Sequence, residues 1–361
     1  MSGAPPGIYY GDYLRLDALL ASQHPESAKL GIDAHDEMLF IIVHQAYELW
    51  FKQILHELDR VQGEFAAAPL SDARLGAIVH ALERVKKIFD LIIGQIDVLE
   101  TMTPLDFLDF RDLLRPASGF QSLQFRLIET RLGLETQARL EFGGKAAEAR
   151  LSEADRDVFL KAQGGPKLIT QLEAWLKRTP FVAMGGYAFA ESYRKAVTAM
   201  LARDLAGLKT SPAMTAEQRG IEREALEKAL ADFAGIFNPD AAPGAWRMAK
   251  PAVQAALFIT LYRDEPALQT PHRLLSLLMD IDEAMTMWRY RHAVMVERMI
   301  GVKLGTGGSS GHSYLRRTAE KHRIFTDLFH LSTYLIPRSA IPPLPGEIAR
   351  RMGFVYADQV K

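Results

Sequence analysis

The 361-residue sequence contains no cysteine. Disulfide bonds, thiolate zinc sites, cysteine-ligated iron–sulfur clusters and thiolate-ligated haem are therefore excluded. The formal net charge is only −1, so the chain has neither a basic footprint for nucleic acid nor an acidic tail. No stretch approaches the roughly 18 consecutive apolar residues of a membrane span, and the N-terminus lacks a signal-peptide pattern. We therefore expect a cytoplasmic protein without nucleic-acid or membrane partners.

Sustained alternation of apolar and polar residues is also absent, as is any repeat at solenoid spacing. Apolar residues instead recur every three or four positions, which predicts amphipathic helices. Long helices are predicted over residues 36–62, 71–99 and 270–301, and shorter ones over 104–115, 120–132, 168–177, 220–233, 252–262 and 313–333. With 48% hydrophobic residues, the sequence predicts an all-α bundle of long helices around a shared core.

The length of the chain fits about two domains or one large helical domain. We expect residues 1–20 to form an N-terminal arm and residues 21–361 a single helical domain. Within that domain, the charged and small-residue-rich region of about 135–250 is expected to add partly peripheral helices. The arm carries Tyr9, Tyr10 and Tyr13, which is unusual for a disordered tail. It either straps onto its own domain or reaches a neighbouring subunit.

The third long helix has clear predicted ends. Thr270 is suited to the N-cap and Pro271 to the first helical position, while Gly301 is suited to the C-terminal cap. The same rule predicts another helix start at Thr103 and Pro104.

Two of the ten histidines, His44 and His292, lie on the apolar faces of long helices. A lone histidine in such a place is usually a core residue with satisfied nitrogens, but two of them on separate helices favour a shared site. A non-haem metal needs three or four protein ligands, and the face around His292 offers only methionine and Trp288. A porphyrin needs one axial imidazole and an apolar slot, so haem suits this pattern, with the second histidine on the open face of the iron.

Arg111 follows Phe107 by one helical turn. One interpretation is a surface arginine paired with Asp109 or Asp112. The other is a clamp for a substrate carboxylate, with the phenyl ring stacking on the apolar part of the substrate.

A glycine-rich run occupies residues 305–311. It lacks the lysine and the preceding strand of a phosphate-binding loop. It is either a plain connector or a loop whose backbone amides and Thr306 hydroxyl close over a ligand.

Five stretches together resemble the tryptophan 2,3-dioxygenase family. They are YYGDYLRLDALL at residues 9–20, HDEMLFIIVHQAYELWFKQILHELD at 35–59, FRDLLRPASGFQSLQFR at 110–126, WRYRHAVMVERMIGVKLGTGGSSG at 288–311 and LFHLSTYLIPR at 328–338. The resemblance implies a helical homotetramer, a dimer of dimers, with one haem b per subunit. The implied reaction belongs to tryptophan catabolism by the kynurenine pathway. It cleaves the indole C2–C3 bond of L-tryptophan with O₂ and gives N-formyl-L-kynurenine.

The resemblance also implies roles for individual positions. His292 would be the proximal ligand of the haem iron, and His44 the catalytic histidine that meets the indole N–H. Further positions expected at the haem are Trp288, Ser118, Gly119 and Arg126. Positions expected at the substrate are Phe40, Ile41, Ile42, Val43, Phe107, Arg111 and Thr306, together with Tyr10, Tyr13 and Leu14 from the arm of a neighbouring subunit.

Two other functions remain compatible with the residues. One is a related haem enzyme that mono-oxygenates another indole or a tyrosine. The other is a haem-binding helical protein without turnover, although such a protein would have little need for a charged clamp beside its pocket.

Overall fold

The computed structural model describes residues 7–67, 69–135, 151–210, 215–237, 246–301 and 311–353. These residues form mainly α-helices, joined by short 3₁₀ turns. The helices are α1 (Tyr10–Leu14), α2 (Leu16–Leu20), α3 (Glu26–Lys29), α4 (Glu37–Ala66), α5 (Asp72–Leu99), α6 (Pro104–Arg111), α7 (Leu123–Leu132), α8 (Glu153–Gln163), α9 (Leu168–Leu176), α10 (Phe189–Thr210), α11 (Ala216–Phe237), α12 (Lys250–Leu261), α13 (Pro266–Ile300), α14 (Gly311–Lys321), α15 (Thr326–His330) and α16 (Gly346–Met352).

The long helices α4, α5 and α13 form the centre of the bundle. α5 packs between α4 and α13, and each contributes fully buried side chains such as Ile54, Leu82 and Ile281. Such side chains recur at spacings of three and four, so each helix turns one apolar face to the shared core. α7 and α9 pack on α4, and α12 packs on α9 and α13. The predicted all-α fold is confirmed.

The start of α13 differs from the sequence prediction. The helix begins at Pro266, with Thr270 and Pro271 inside it, and it ends at Gly301 as predicted. Both prolines suit a first helical turn, but the earlier start buries Leu268, which is 3% exposed. That burial offsets the backbone hydrogen bond that Pro271 cannot donate.

The single helix predicted over residues 313–333 is also wrong, because the chain breaks between α14 and α15. The Asp282 carboxylate on α13 accepts hydrogen bonds from the backbone N–H groups of Ile324, at 3.0 and 3.1 Å, and Phe325, at 3.0 Å. These N–H groups point to a side chain instead of to carbonyls of the preceding turn. A buried carboxylate from another helix thus ends one helix and turns the chain.

One small hairpin interrupts the helical architecture. Strands β1 (Ala183–Met184) and β2 (Tyr187–Ala188) pair antiparallel around Gly185 and Gly186, whose φ angles are +58° and +82°. Positive φ at both turn positions is typical of a tight hairpin and favours glycine. Two-residue strands are too short to produce an alternating sequence pattern.

The region after the hairpin is well packed in the structure. Phe189 and Tyr193 of α10 are fully buried, and the Phe189 ring lies 5.2 Å from that of Phe258 on α12. The Tyr193 hydroxyl donates to the carbonyl oxygen of Tyr334 at 2.5 Å. Among the described helices, none combines the length and hydropathy needed to cross a bilayer.

Candidate functional site

The imidazole of His44 is held by the helix that carries it. Its Nδ1 lies 2.7 Å from the carbonyl oxygen of Phe40, one turn earlier on α4. Since a carbonyl only accepts, Nδ1 carries the proton and Nε2 keeps its lone pair. The Phe40 ring packs on the imidazole with the centroids 4.0 Å apart. Burial lowers the pKa of His44, while the Phe40 carbonyl and the nearby Glu48 carboxylate oppose this effect, so the neutral form is favoured.

His292 on α13 is held in a different way. Its ring stacks on that of Trp288, one turn earlier, with a centroid distance of 5.4 Å and an interplanar angle of 5°. Its Nδ1 is buried, and no hydrogen-bond partner reaches that atom among the described residues. Burial, with a smaller contribution from His44, lowers the pKa of His292 to about 4. The neutral form of the imidazole is therefore favoured.

A ladder of aromatic contacts joins the two histidines. The Tyr47 ring lies 6.5 Å from that of His44 and 6.0 Å from that of Trp288, which stacks on His292. Phe51 and Phe125 pack against the same indole at 6.2 and 4.8 Å. Aromatic side chains of α4 and α13 are thus in contact beside both imidazoles.

Several rings of this region keep part of their surface exposed although they pack on the core. They are Phe40, His44, Phe107, Trp288 and His292. A partly accessible aromatic surface with one or two imidazoles suits a flat, apolar cofactor. Among the described residues, no group of three or more metal-ligating side chains is present that could hold a bare ion. The imidazole of His292 on an apolar helix face fits a porphyrin, which supplies four of the iron ligands itself.

Phe107 reaches the same region from α6, and Arg111 follows it by one turn on that helix. Thr103 and Asp106 start this helix with reciprocal backbone contacts, which confirms the predicted cap. The Phe107 ring stacks on that of Phe40 at 5.7 Å, which connects it to His44.

The structure excludes a surface position for Arg111. Its side chain is buried, and the residue is only 6% exposed. Asp112 contacts Arg115 at 3.3 Å, and Asp109 is exposed. A buried guanidinium one turn from Phe107 is positioned to meet an anionic group.

Ser118, Gly119 and Arg126 flank the turn before α7. The Arg126 guanidinium is mostly buried and donates to the carbonyl oxygen of Phe120 at 2.6 Å from Nη2. The Ser118 hydroxyl accepts from the N–H of Phe120 at 3.4 Å, and Gly119 is exposed. Ser118 before the turn and Arg126 after it therefore both bind the backbone of Phe120.

A buried ion pair behind the aromatic ladder was not predicted. Arg289 on α13 donates from Nη2 to Glu129 Oε1 on α7 at 2.8 Å, and from Nη1 to the carbonyl oxygen of His322 at 3.1 Å. The two charged side chains are 3% and 6% exposed. The pair fixes α7 to α13 next to Trp288. No short sequence motif could reveal it, because its members lie 160 positions apart.

Other predicted site residues are not brought to this cluster by any described contact. Ile42 is 49% exposed, Val43 is buried in the core, and Ile41 is partly exposed. Tyr10, Tyr13 and Leu14 on α1 are exposed, and Thr306 lies outside the described residues.

The sequence is similar to known proteins over nearly its whole length. The family model described as tryptophan 2,3-dioxygenase matches residues 1–335. A tryptophan 2,3-dioxygenase of Bdellovibrio bacteriovorus is 50% identical over 97% of this chain and 99% of its own length. Proteins of that name from Dictyostelium discoideum and Aedes aegypti are 42% and 43% identical, over 98% and 99% of this chain and 90% and 93% of their own lengths.

Proposed function

This chain belongs to the tryptophan 2,3-dioxygenase family, and from that premise we propose that it adds both atoms of O₂ across the indole C2–C3 bond of L-tryptophan. The product is N-formyl-L-kynurenine, an intermediate of tryptophan catabolism. One observation carries the proposal: two neutral imidazoles on separate helices converge through Tyr47 and Trp288, and a buried arginine lies on the third helix that meets them.

His292 would hold haem b by ligating its iron. The neutral ring on an apolar helix face supports this role, because a ligating imidazole must keep a lone pair on one nitrogen. Trp288, Ser118, Gly119 and Arg126 would contact the macrocycle or its propionates. When bound, haem supplies the redox-active iron at which O₂ reacts.

His44 would accept a hydrogen bond from the indole N–H of the substrate. The contact between Nδ1 and the Phe40 carbonyl supports this role, because it leaves Nε2 as the acceptor. The imidazole orients the indole and does not serve as an essential base. Its contribution is to hold C2 and C3 in one position relative to the reacting oxygen.

Arg111 would bind the substrate carboxylate in a bidentate contact. Its burial supports this role, because a charged contact is stronger where water is excluded. Phe107 and Phe40, stacked on each other, would form the wall against the indole ring. Ile41, Ile42 and Val43 would line the same stretch of α4.

Other parts of the substrate site would come from outside the described cluster. Thr306 would contact the ammonium and carboxylate groups of the amino acid. Tyr10, Tyr13 and Leu14 would complete the pocket of a neighbouring subunit in a homotetramer. Their exposure in the single chain is compatible with that role, since exposed aromatic residues often mark an interface. We also propose a cytoplasmic location.

An absorption spectrum of the purified protein tests the proposal most directly. We expect haem bands that change on reduction, and change again when L-tryptophan is added without O₂. With O₂ present, the absorbance of N-formylkynurenine should appear, and its mass should show two added oxygen atoms. A product with one added oxygen would indicate a mono-oxygenase. Haem binding without turnover would indicate a carrier, and a protein that stays colourless with haemin would refute the proposal.

A further inference from the structure

The hydrogen bonding of His44 raises a chemical problem. With the proton on Nδ1, the Nε2 atom has a free lone pair, as an iron-binding imidazole requires. Ligation of the iron by both imidazoles from opposite sides would close the face where O₂ must react. The protein therefore needs a feature that keeps His44 at a distance from the iron held by His292.

Tyr47 and Trp288 lie where such a feature is needed. Tyr47 follows His44 by one turn on α4, and Trp288 precedes His292 by one turn on α13. Their rings meet edge to face, with the centroids 6.0 Å apart and an interplanar angle of 73°. α4 and α13 each pack on α5, and the contact of Tyr47 with Trp288 joins α4 directly to α13 beside the two imidazoles.

The position of Tyr47 is fixed by a hydrogen bond to α5. Its hydroxyl donates to the carbonyl oxygen of Ile92 on α5 at 2.9 Å, and the residue is 8% exposed. Burial raises the pKa of Tyr47 to about 12, so the hydroxyl keeps its proton and remains a donor. If the Tyr47 ring rotated away from α13, its hydroxyl would lose the hydrogen bond to the buried Ile92 carbonyl.

Trp288 is braced from two other sides. Phe51 lies 6.2 Å from the indole on the α4 side, and Phe125 of α7 lies 4.8 Å from it. Phe51 also packs on Tyr47, at 6.0 Å. Interiors of this kind are close-packed, so the four rings act as one incompressible layer.

We propose that Tyr47 and Trp288 form a spacer that sets the separation of α4 and α13 beside the two imidazoles and prevents His44 from ligating the haem iron. Both are positioning residues, since neither needs to touch the reacting atoms. The inference rests on the proposed function, because it assumes that haem lies between His44 and His292.

The predicted consequence of removing the spacer is specific. Truncation of a buried ring leaves space into which the surrounding helices relax in part. α4 would then move towards α13, and Nε2 of His44 would come within reach of the iron. The ferric haem should convert from a high-spin state to a low-spin state with two histidine ligands.

The decisive experiment is the optical and electron paramagnetic resonance spectrum of the haem-loaded Tyr47→Leu variant. We expect the low-spin fraction to rise roughly tenfold over that of the parent, since loss of one aromatic pair shifts a two-state equilibrium by about that factor. The low-spin signal should disappear in the double variant Tyr47→Leu/His44→Ala. A signal that depends on His44 cannot arise from general destabilisation.

Tyr262→Leu is the matched control. Tyr262 is 7% exposed and its hydroxyl donates to the carbonyl oxygen of Pro342 at 2.7 Å, so the same type of buried bond is lost far from both histidines. This variant should lose stability but keep the high-spin spectrum. Tyr47→Phe, which keeps the ring and loses the hydroxyl, should also remain mostly high-spin.

Three results would overturn the spacer. The first is a Tyr47→Leu protein that holds haem and stays as high-spin as the parent. The second is a low-spin signal that persists without His44, and the third is an equal signal in Tyr262→Leu. If Tyr47→Leu does not retain haem, Tyr47→Met, with a longer flexible side chain, is judged by the same criteria. The proposed function fails separately, if the parent protein binds no haem or if His292→Ala binds it unchanged.

Discussion

α4 and α13 present the same side chain from similar helices, yet the two histidines are held in opposite ways. On α4, a backbone carbonyl fixes the proton of His44 on Nδ1 and leaves Nε2 as an acceptor. On α13, the ring of His292 is oriented by stacking on Trp288, and no described group reaches its Nδ1. Burial on the apolar face of each helix lowers the pKa of both imidazoles and favours their neutral forms. Only their neighbours distinguish the ring that we propose to orient the substrate from the ring that we propose to hold the haem iron.

The difference in neighbours supports the proposal that the two histidines have different tasks. A hydrogen bond to the preceding turn selects one tautomer, which matters for a contact with a polar N–H group. Stacking leaves the donor atoms alone and fixes only the plane of the ring. Four experiments test this contrast, and the expected effect decreases from the first to the last.

Replacing His292 by alanine should have the largest effect. We expect the affinity for haem to fall more than about 100-fold, because the loss of a ligand exceeds the 10- to 100-fold effect of changing a group behind a ligand. A haemin titration followed at the Soret band measures it. His44→Ala is the control and should bind haem normally. Equal losses in the two variants would remove the contrast between the helices.

Replacing Arg111 by alanine should have the next largest effect. A desolvated bidentate contact to a carboxylate is worth about 2–4 kcal/mol, so kcat/KM should fall roughly 30- to 1000-fold, mainly through KM. Steady-state kinetics with L-tryptophan measures this. Arg115→Ala is the control, since the Arg115 side chain is 55% exposed and pairs with Asp112. An unchanged KM in Arg111→Ala would place the carboxylate elsewhere.

Replacing His44 by alanine should reduce turnover without abolishing it. Loss of one hydrogen bond to a buried polar group costs about 1–3 kcal/mol, or roughly 5- to 150-fold in kcat/KM. A substrate methylated on the indole nitrogen cannot donate that bond. With this substrate, His44→Ala should therefore lower kcat/KM much less than it does with L-tryptophan. Complete loss of turnover with haem retained would show that the imidazole does more than orient the indole.

The acid limb of the pH profile should show the smallest effect. Protonation would turn Nε2 of His44 into a donor, so activity is lost as the pH falls through the pKa of this residue. Burial lowers the pKa of His44 from its ordinary value, hence the acid limb of kcat/KM should lie at lower pH than the titration of an exposed imidazole. Since the Glu48 carboxylate raises the pKa of His44, Glu48→Gln should move the acid limb to lower pH.

A shift of that limb to higher pH in Glu48→Gln would contradict the assigned electrostatics. Gln124 donates to the carboxylate of Glu48 at 2.8 Å. Gln124→Ala keeps the Glu48 carboxylate and its charge. Glu48 should therefore still raise the pKa of His44 in this variant, and the acid limb should not move to lower pH as it does in Glu48→Gln.

The long helices and their histidines were predictable because a period of 3.6 residues encodes a buried face directly. The start of α13 was not, because Pro266 and Pro271 both satisfy the preference for a first turn. The break at Ile324 depends on Asp282, 42 positions away. No local pattern carries such information.

The site itself was only partly predictable. Arg111 lies among aspartates, so its composition suggests a surface, and only the packing of α6 shows that it is buried. The contact of Tyr47 with Trp288, like the ion pair of Arg289 with Glu129, joins distant parts of the chain. Each residue looks ordinary in its own helix, and its role appears only when the helices pack.

The carboxylate of Asp282 accepts hydrogen bonds from the backbone at Ile324 and Phe325, and Arg289 donates to the carbonyl of His322. Side chains of α13 therefore hold the backbone of the segment that follows α14. Peptide-bond continuity between Gly301 and Gly311 is then not what keeps the C-terminal portion in place. Two fragments that divide the chain there would remain associated and elute together until a denaturant separates them.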